Sequence, residues 1–219
     1  MEGVQVTKPN SAEIVFVIDR SSSMTLIAKE MESGLMDFIE EQRKVPGECR
    51  VTLVQFDNHY EYVWTCRSLT EALTYKLVPR GSTALLDALG RSIDEVGARL
   101  AGMPEHDRPA RVLFVVITDG EENSSRGYSR ARVFEMIKHQ RERYAWEFMF
   151  LGANQDAIGE AGKLGIANAL NYVPDSASVA AAVRTSGQSA ARYRSGGSAF
   201  NAGEMQIQYN ANLNKPGES

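Results

Sequence analysis

The sequence predicts an α/β fold: a doubly wound, mostly parallel sheet with helices on both faces and one antiparallel edge strand. Three observations carry this. The runs Ile14–Ile18 and Val112–Ile117 are apolar throughout and rich in β-branched residues, the composition of strands covered on both faces. Segments with apolar residues at helical spacing alternate with such strands, the arrangement of a doubly wound sheet. Finally, Val51–Phe56 and Tyr60–Cys66 flank Asp57-Asn58 and read as a hairpin, whose second strand runs antiparallel at a sheet edge.

Along the chain, Met1 to Ser11 has neither a basic start nor an apolar core, so no secretory signal is expected there. This N-terminal segment, residues 1–11, precedes a domain expected over 12–175. The first buried strand ends at Asp19, followed by Arg20-Ser21-Ser22-Ser23-Met24. From Met24 to Lys44 the residues Ile27, Met31, Leu35, Phe38 and Ile39 form one helical face, and Val45-Pro46-Gly47 stops the helix. In the hairpin, a two-residue turn at Asp57-Asn58 sets Cys49 opposite Cys66, whereas a four-residue loop separates them. Pairing of the two is not favoured, because nothing marks the chain as exported.

Leu69 to Val78 reads as either a weak helix or an irregular connection. After Pro79-Arg80-Gly81, Ser82-Thr83 opens a helix with Leu85, Leu89, Ile93, Val96 and Leu100 inward. A polar loop, Gly102 to Pro109, leads to the second buried strand, which ends in Thr118-Asp119-Gly120-Glu121-Glu122-Asn123. Tyr128 to Tyr144 is expected to be helical, with Val133, Ile137 and Tyr144 inward and a basic outer face. Trp146 to Leu151 is a third buried strand. Gly152-Ala153-Asn154 breaks it before a short helix ending near Gly165, and a last strand is expected at Leu170 to Val173.

Composition changes after Pro174. Residues 176–194 are rich in Ala, Ser and Arg, with only Val179, Val183 and Tyr193 as apolar support. From Ser195 a Ser-Gly-Gly-Ser segment and an Asn/Gln-rich remainder read as an appended arm, too poor in large apolar residues for a core of its own. Residues 176–219 are therefore expected as a helix plus an arm that is disordered or lies on the domain or a partner.

With 219 residues, 43% of them hydrophobic, the chain suits one domain with a full core. Its 24 basic and 28 acidic residues leave a net charge of −4, unlike the basic footprint of a nucleic-acid binder. No apolar run approaches the ~20 residues that span a bilayer. The two cysteines form neither a CxxC pair nor a Cys/His cluster, which argues against a zinc site and for reduced thiols in the cytoplasm.

The chemistry concentrates at the strand ends. Asp19, Ser21 and Ser23 alternate at the end of one central strand, Asp119 ends the other, and Thr83 lies between them at a helix start. Open α/β sheets bind ligands at this edge. One carboxylate and two hydroxyls make half of an open oxygen site for a hard cation such as Mg²⁺; the competing reading is that they cap the following helix. Adjacent strand ends bring all five residues together.

This D-x-S-x-S…T…D constellation strongly resembles the metal-ion-dependent adhesion site of von Willebrand factor type A domains. The edge hairpin, Gly81-Ser82-Thr83-Ala84-Leu85-Leu86-Asp87-Ala88-Leu89, Ile117-Thr118-Asp119-Gly120 and the order of elements fit as well. The resemblance covers about residues 12–175 and implies a Rossmann-like sheet. In detail the chain is similar to stand-alone cytoplasmic bacterial and phage members, which carry segments like Asp19-Arg20-Ser21-Ser22-Ser23-Met24, Arg80-Gly81-Ser82-Thr83 and Phe150-Leu151-Gly152-Ala153-Asn154. Many of those have Gly where this chain has Ser22.

The resemblance implies that Ser21, Ser23 and Thr83 coordinate Mg²⁺ or Mn²⁺, with Ca²⁺ a further candidate, through their hydroxyls. Asp19 and Asp119 would act mainly through coordinated waters, and a partner's Asp or Glu carboxylate would complete the shell. The implied role is a non-catalytic, metal-dependent protein-binding module, of a kind that works with ATPases, kinases or phosphatases, without nucleic acid or membrane. Asp87 either supports the site or is an ordinary surface acid, and Glu121 and Glu122 lie on its rim or in a solvated turn. The alternative function is a Mg²⁺-dependent hydrolase or phosphatase using the strand-end aspartates. Phosphatases with a strand-end aspartate nucleophile carry a second aspartate two residues on, where this chain has Ser21. There is no Gly-rich phosphate loop with Lys-Ser/Thr, and His59, His106 and His139 are paired with no Ser or Cys in a recognisable motif.

Overall fold

The computed structural model describes residues 7–153 and 157–214. Strands β1 (Lys8–Asp19), β2 (Glu48–Phe56), β3 (Tyr60–Ser68), β4 (Pro109–Thr118), β5 (Glu147–Ala153) and β6 (Asn168–Tyr172) form one sheet in the order β3-β2-β1-β4-β5-β6. Every neighbouring pair is parallel except β2–β3, so the hairpin does supply an antiparallel edge. The expected fold class is the observed one.

Helices α1 (Ala28–Arg43), α5 (Ser176–Arg194) and α6 (Ala202–Leu213) cover one face, and α2 (Leu85–Ala101), α3 (Arg130–Tyr144) and α4 (Ala157–Lys163) the other. The period-2 alternation of strand side chains divides β1 between the two cores. Ile14, Phe16 and Ile18 pack with Met31, Leu35 and Phe38 of α1, while Val15 and Val17 pack with Leu89, Ile93 and Val96 of α2. Phe16 meets the edge of Phe38 at 4.9 Å between ring centroids, and Phe114 stacks on Trp146 and Phe148 at 5.4 and 5.0 Å. The registers Asp19↔Phe56 and Ile18↔Ile117 bring the carboxyl ends of β2, β1 and β4 level with one another.

Several expectations are corrected. β1 starts at Lys8, inside the segment expected to precede the domain, because Lys8 pairs with Pro109 at the start of β4, its N–H donating to the Arg108 carbonyl (2.9 Å). The hairpin loop has three residues, with Phe56 opposite Tyr60, and the register shifts twice between Val51 and Val54. The loop length already takes Cys49 out of register with Cys66 and the shifts take it further; Cys66 lies at φ 50, its N–H donating to Thr52 Oγ1, and both thiols are free. Leu69 to Val78 takes the irregular alternative, anchored by buried Leu69, Tyr75 and Leu77.

Tyr144 is 55% exposed, and Trp146 is buried in its stead. Ala145 leaves α3 in the left-handed region, which turns the chain inward one residue too late for Tyr144. Val173 lies beyond β6 and is exposed.

The C-terminal segment takes one of the alternatives left open for it. α5 docks along α1 through small residues: a methyl group at Gly34 would approach Val183 Cβ to 3.1 Å, and one at Gly187 would lie 3.5 Å from Phe38. Gln42 Nε2 donates to the Gly187 carbonyl (2.8 Å), and Arg194 donates to the Gln42 carbonyl (2.6 Å). Beyond Ser195 the chain forms α6, started by a capping box of Asn201 and Glu204, with Met205 and Tyr209 buried and Asn212 bonded to Thr185. Residues 176–214 are thus docked against the sheet and α1, which is the alternative in which the arm lies on the domain. β5 runs on through Gly152 and Ala153, where a break was expected, because both pair with β6; Asn154, the start of the N-terminal segment (1–6) and the end of the arm (215–219) lie outside the described residues. Among those described, no helix is long and apolar enough to cross a membrane.

Candidate metal centre

The site forms because β1 and β4 end side by side. Asp19, the last residue of β1, is fully buried. Its Oδ1 accepts the Ser21 N–H (2.6 Å) and its Oδ2 the Thr118 hydroxyl (2.6 Å). The first bond folds the chain back directly after the strand, so that Ser21 Oγ and Ser23 Oγ stand 2.9 Å apart. Ser23 in turn donates to Asp119 Oδ1 at 2.6 Å.

Thr83 is buried in the loop before α2, its N–H donating to Asn123 Oδ1 (3.1 Å) and its carbonyl accepting the N–H groups of Asn123 and Ser124. Gly120 shows how closely the three loops converge. A methyl group there would lie 2.9 Å from Thr83 Oγ1, 3.5 Å from Ser23 Oγ and 3.7 Å from Asp19 Oδ2. All five residues expected at the site, Asp19, Ser21, Ser23, Thr83 and Asp119, therefore meet in one cluster.

The electrostatics suit a cation. Burial pushes the Asp19 carboxyl up to about 6; bonds from Thr118 and Ser21 oppose the rise, and the Asp119 charge adds to it. Burial also raises Asp119, against the bond from Ser23. Arg20, the cation next in sequence, turns away to Asp57 and Glu61. Two poorly solvated carboxylates with three hydroxyls form an all-oxygen donor set, the chemistry of a hard divalent ion. Among the described residues no group of three or more His, Cys, Asp or Glu could hold a metal, so an ion here has to draw on the hydroxyls.

Two acids left open by the sequence have structural work beside the site. Asp87 accepts backbone N–H groups from Arg126, Gly127 and Tyr128 at 2.8–2.9 Å, fixing the loop after β4. Glu122 accepts the N–H of Leu86 at the start of α2, together with those of Ser124 and Ser125. It caps α2 from another loop, while Glu121 is exposed. A third group has no counterpart in the sequence reading: Arg20, Asp57 and Arg80, joined by ion pairs at 2.8–3.1 Å. The one local signal was a charged Arg directly after a buried strand. Of the histidines, His59 leans on Asp57, and His106 and His139 are exposed.

A family model described as the von Willebrand factor type A domain matches residues 13–180. No curated protein sequence matches the chain. Among solved structures the chain is similar to proximal thread matrix protein 1 from the mussel byssus, at 16% identity and a TM-score of 0.58 over 83% of this chain and 46% of that one. A further structure of the mussel protein, again at 16% identity (TM-score 0.57, 83% and 46% covered), is described as having a zinc-occupied MIDAS motif. The ArnB paralogue VWA2 from Sulfolobus acidocaldarius matches at 14% identity and a TM-score of 0.56, over 80% of this chain and 44% of that one. A von Willebrand factor type A protein from Catenulispora acidiphila matches at 14% and 0.54, over 83% and 43%. The chain thus spans less than half the length of each of these structures, and at such identities the likeness is one of fold.

Proposed function

The chain belongs to the von Willebrand factor type A domain family, and from that premise we propose that it is a divalent-metal-dependent protein-binding module. Ser21, Ser23 and Thr83, backed by Asp19 and Asp119, would hold Mg²⁺ or Mn²⁺, and a partner's Asp or Glu carboxylate would complete the shell. The observation that carries this reading is the convergence of these oxygens around Gly120.

When bound, the ion supplies a positive charge that draws in a carboxylate. The chain's own residues set how strong that charge remains. Hydroxyls are neutral, so three of them around an ion leave most of its charge for an incoming ligand. Asp19 and Asp119 would offset the N-terminal dipole ends of the helical turn that follows β1 and of α2, which disfavour a cation. Ser23 donates to Asp119 and shares a hydrogen bond with Ser21, which keeps these oxygens grouped.

A binding role is favoured over hydrolysis by the residue two places after the strand-end aspartate. It is Ser21, where a second carboxylate would serve as general acid. The free thiols of Cys49 and Cys66 support a reducing, cytoplasmic setting, and the net charge of −4 supports a protein rather than a nucleic-acid partner.

The test pairs calorimetry with Mg²⁺, Mn²⁺, Ca²⁺ and Zn²⁺ and a pull-down from the native cell in Mg²⁺ or EDTA. Wild type should bind a divalent ion and capture a partner only when it is present, and Asp119→Ala should lose both. Capture in EDTA that survives Asp119→Ala would place recognition on another surface. Turnover of phosphate esters lost in Asp119→Ala would favour the hydrolase.

A further inference from the structure

The hydroxyls of the site sit on two loops, and a carboxylate outside the site ties those loops together. Asp57, in the β2–β3 loop, is fully buried. Its Oδ2 accepts Nε–H bonds from both Arg20 (3.1 Å) and Arg80 (2.8 Å), and its Oδ1 accepts the His59 N–H (2.5 Å). Its backbone carbonyl accepts the Ala84 N–H at 3.1 Å. Arg20 stands between Asp19 and Ser21, while Arg80 and Ala84 bracket Thr83 in the chain. One residue therefore grips the Ser21/Ser23 loop once and the Thr83 loop on both sides.

Backbone bonds follow the same seam: the Arg80 N–H to the Arg20 carbonyl (2.7 Å) and the Ser22 N–H to the Gly81 carbonyl (3.3 Å). Arg20 is buried, with Nη1 on Glu61 (2.6 Å) and Nη2 enclosed without a partner. Asp57 is the buried counter-charge that holds it in place. Burial works to raise the Asp57 carboxyl, but bonds from Arg80 and His59 and the charge of Arg20 outweigh it and hold the group below the usual carboxylate range. The clamp is ionised at neutral pH.

We propose that Asp57 is a positioning residue for the metal centre, setting the spacing of the Ser21/Ser23 loop and the Thr83 loop by clamping Arg20 and Arg80. The proposal rests on the metal-site reading above. Metal shells tolerate misplacements of only about 0.5 Å, and residues that orient ligands change metal affinity typically 10–100-fold when replaced. A clamp on both sides of Thr83 acts directly on that tolerance.

The experiment measures Mn²⁺ affinity by calorimetry, and metal-free melting temperature, for wild type, Asp57→Asn, Arg80→Ala and Thr83→Ala, and for Asp57→Asn and Arg80→Ala each combined with Thr83→Ala. Asp57→Asn and Arg80→Ala should each weaken Mn²⁺ binding by on the order of 10-fold. In the Thr83→Ala background they should add little, because the hydroxyl they place is gone. Unchanged Mn²⁺ affinity with a lowered melting temperature would overturn the proposal, as would losses that persist in full without the Thr83 hydroxyl. A wild type that binds no Mn²⁺ would instead refute the metal site itself, and with it any positioning role. Should Asp57→Asn not fold, Arg80→Ala decides, since that side chain is 58% exposed and its loss leaves the buried Arg20–Asp57 pair intact.

Discussion

Replacing Asp19 by Asn should stabilise the metal-free protein while removing its capacity for metal. Asp19 is fully buried, and its carboxyl is raised from 3.8 to about 6. With a folded-state value above the unfolded one, the native chain binds more protons than the unfolded chain between those pH values. Stability is therefore present below about pH 4 and lost as pH rises through 6. A displacement of this size corresponds to roughly 3 kcal/mol at neutral pH. Asparagine carries no charge and fits the same bonds. Its oxygen takes the Ser21 N–H, and its amide donates to Thr118 Oγ1, whose own proton turns to the Gly120 carbonyl 3.1 Å away. Allowing for one weakened hydrogen bond, a net gain of about 1–2 kcal/mol is expected at pH 7.

Urea unfolding in EDTA at pH 4 and pH 7 reads the effect, which should be large at pH 7 and small at pH 4. With Mg²⁺ at a hundred times its dissociation constant, wild type should gain about 2.7 kcal/mol and Asp19→Asn much less. A variant that is less stable than wild type in EDTA at pH 7, or that gains equally from Mg²⁺, would refute the reasoning.

Thr83→Ala should weaken partner capture in Mg²⁺ more than it lowers the melting temperature, because the apolar sheet and helices supply most of the stability; equal losses by both measures would argue against a ligand role. Ending the chain at Ser198 removes α6 with its buried Met205 and Tyr209. This should cost about 3 kcal/mol, a fall of roughly 10 °C in melting temperature for a chain of this size. An unchanged thermogram would restore the view of this segment as an appended arm.

The parts of this protein legible in its sequence are those set by neighbours along the chain. Ile14–Ile18 and Val112–Ile117 advertise strands buried on both faces, and Asp19-x-Ser21-x-Ser23 lies within one strand-to-helix turn. The short chain distance from Asp19 to Ser23 makes their grouping a local property. Asp119 and Thr83 joined them in the sequence reading because parallel strands end at one edge.

What only the tertiary structure decided involves partners far apart in sequence or packing by closeness instead of size. The Arg20–Asp57 and Asp57–Arg80 pairs span 37 and 23 residues, and no local pattern marks Asp57 as anything but a turn residue. The three-residue loop and two further register shifts together separated Cys49 from Cys66, since loop length and bulges depend on how the facing strands twist and pair. In the sequence α5 shows only Val179, Val183 and Tyr193 as apolar support. Its alanines, serines and Gly187 instead let its backbone approach α1 across Gly34 and Phe38, and dispersion between close backbones replaces the large side chains that composition looks for.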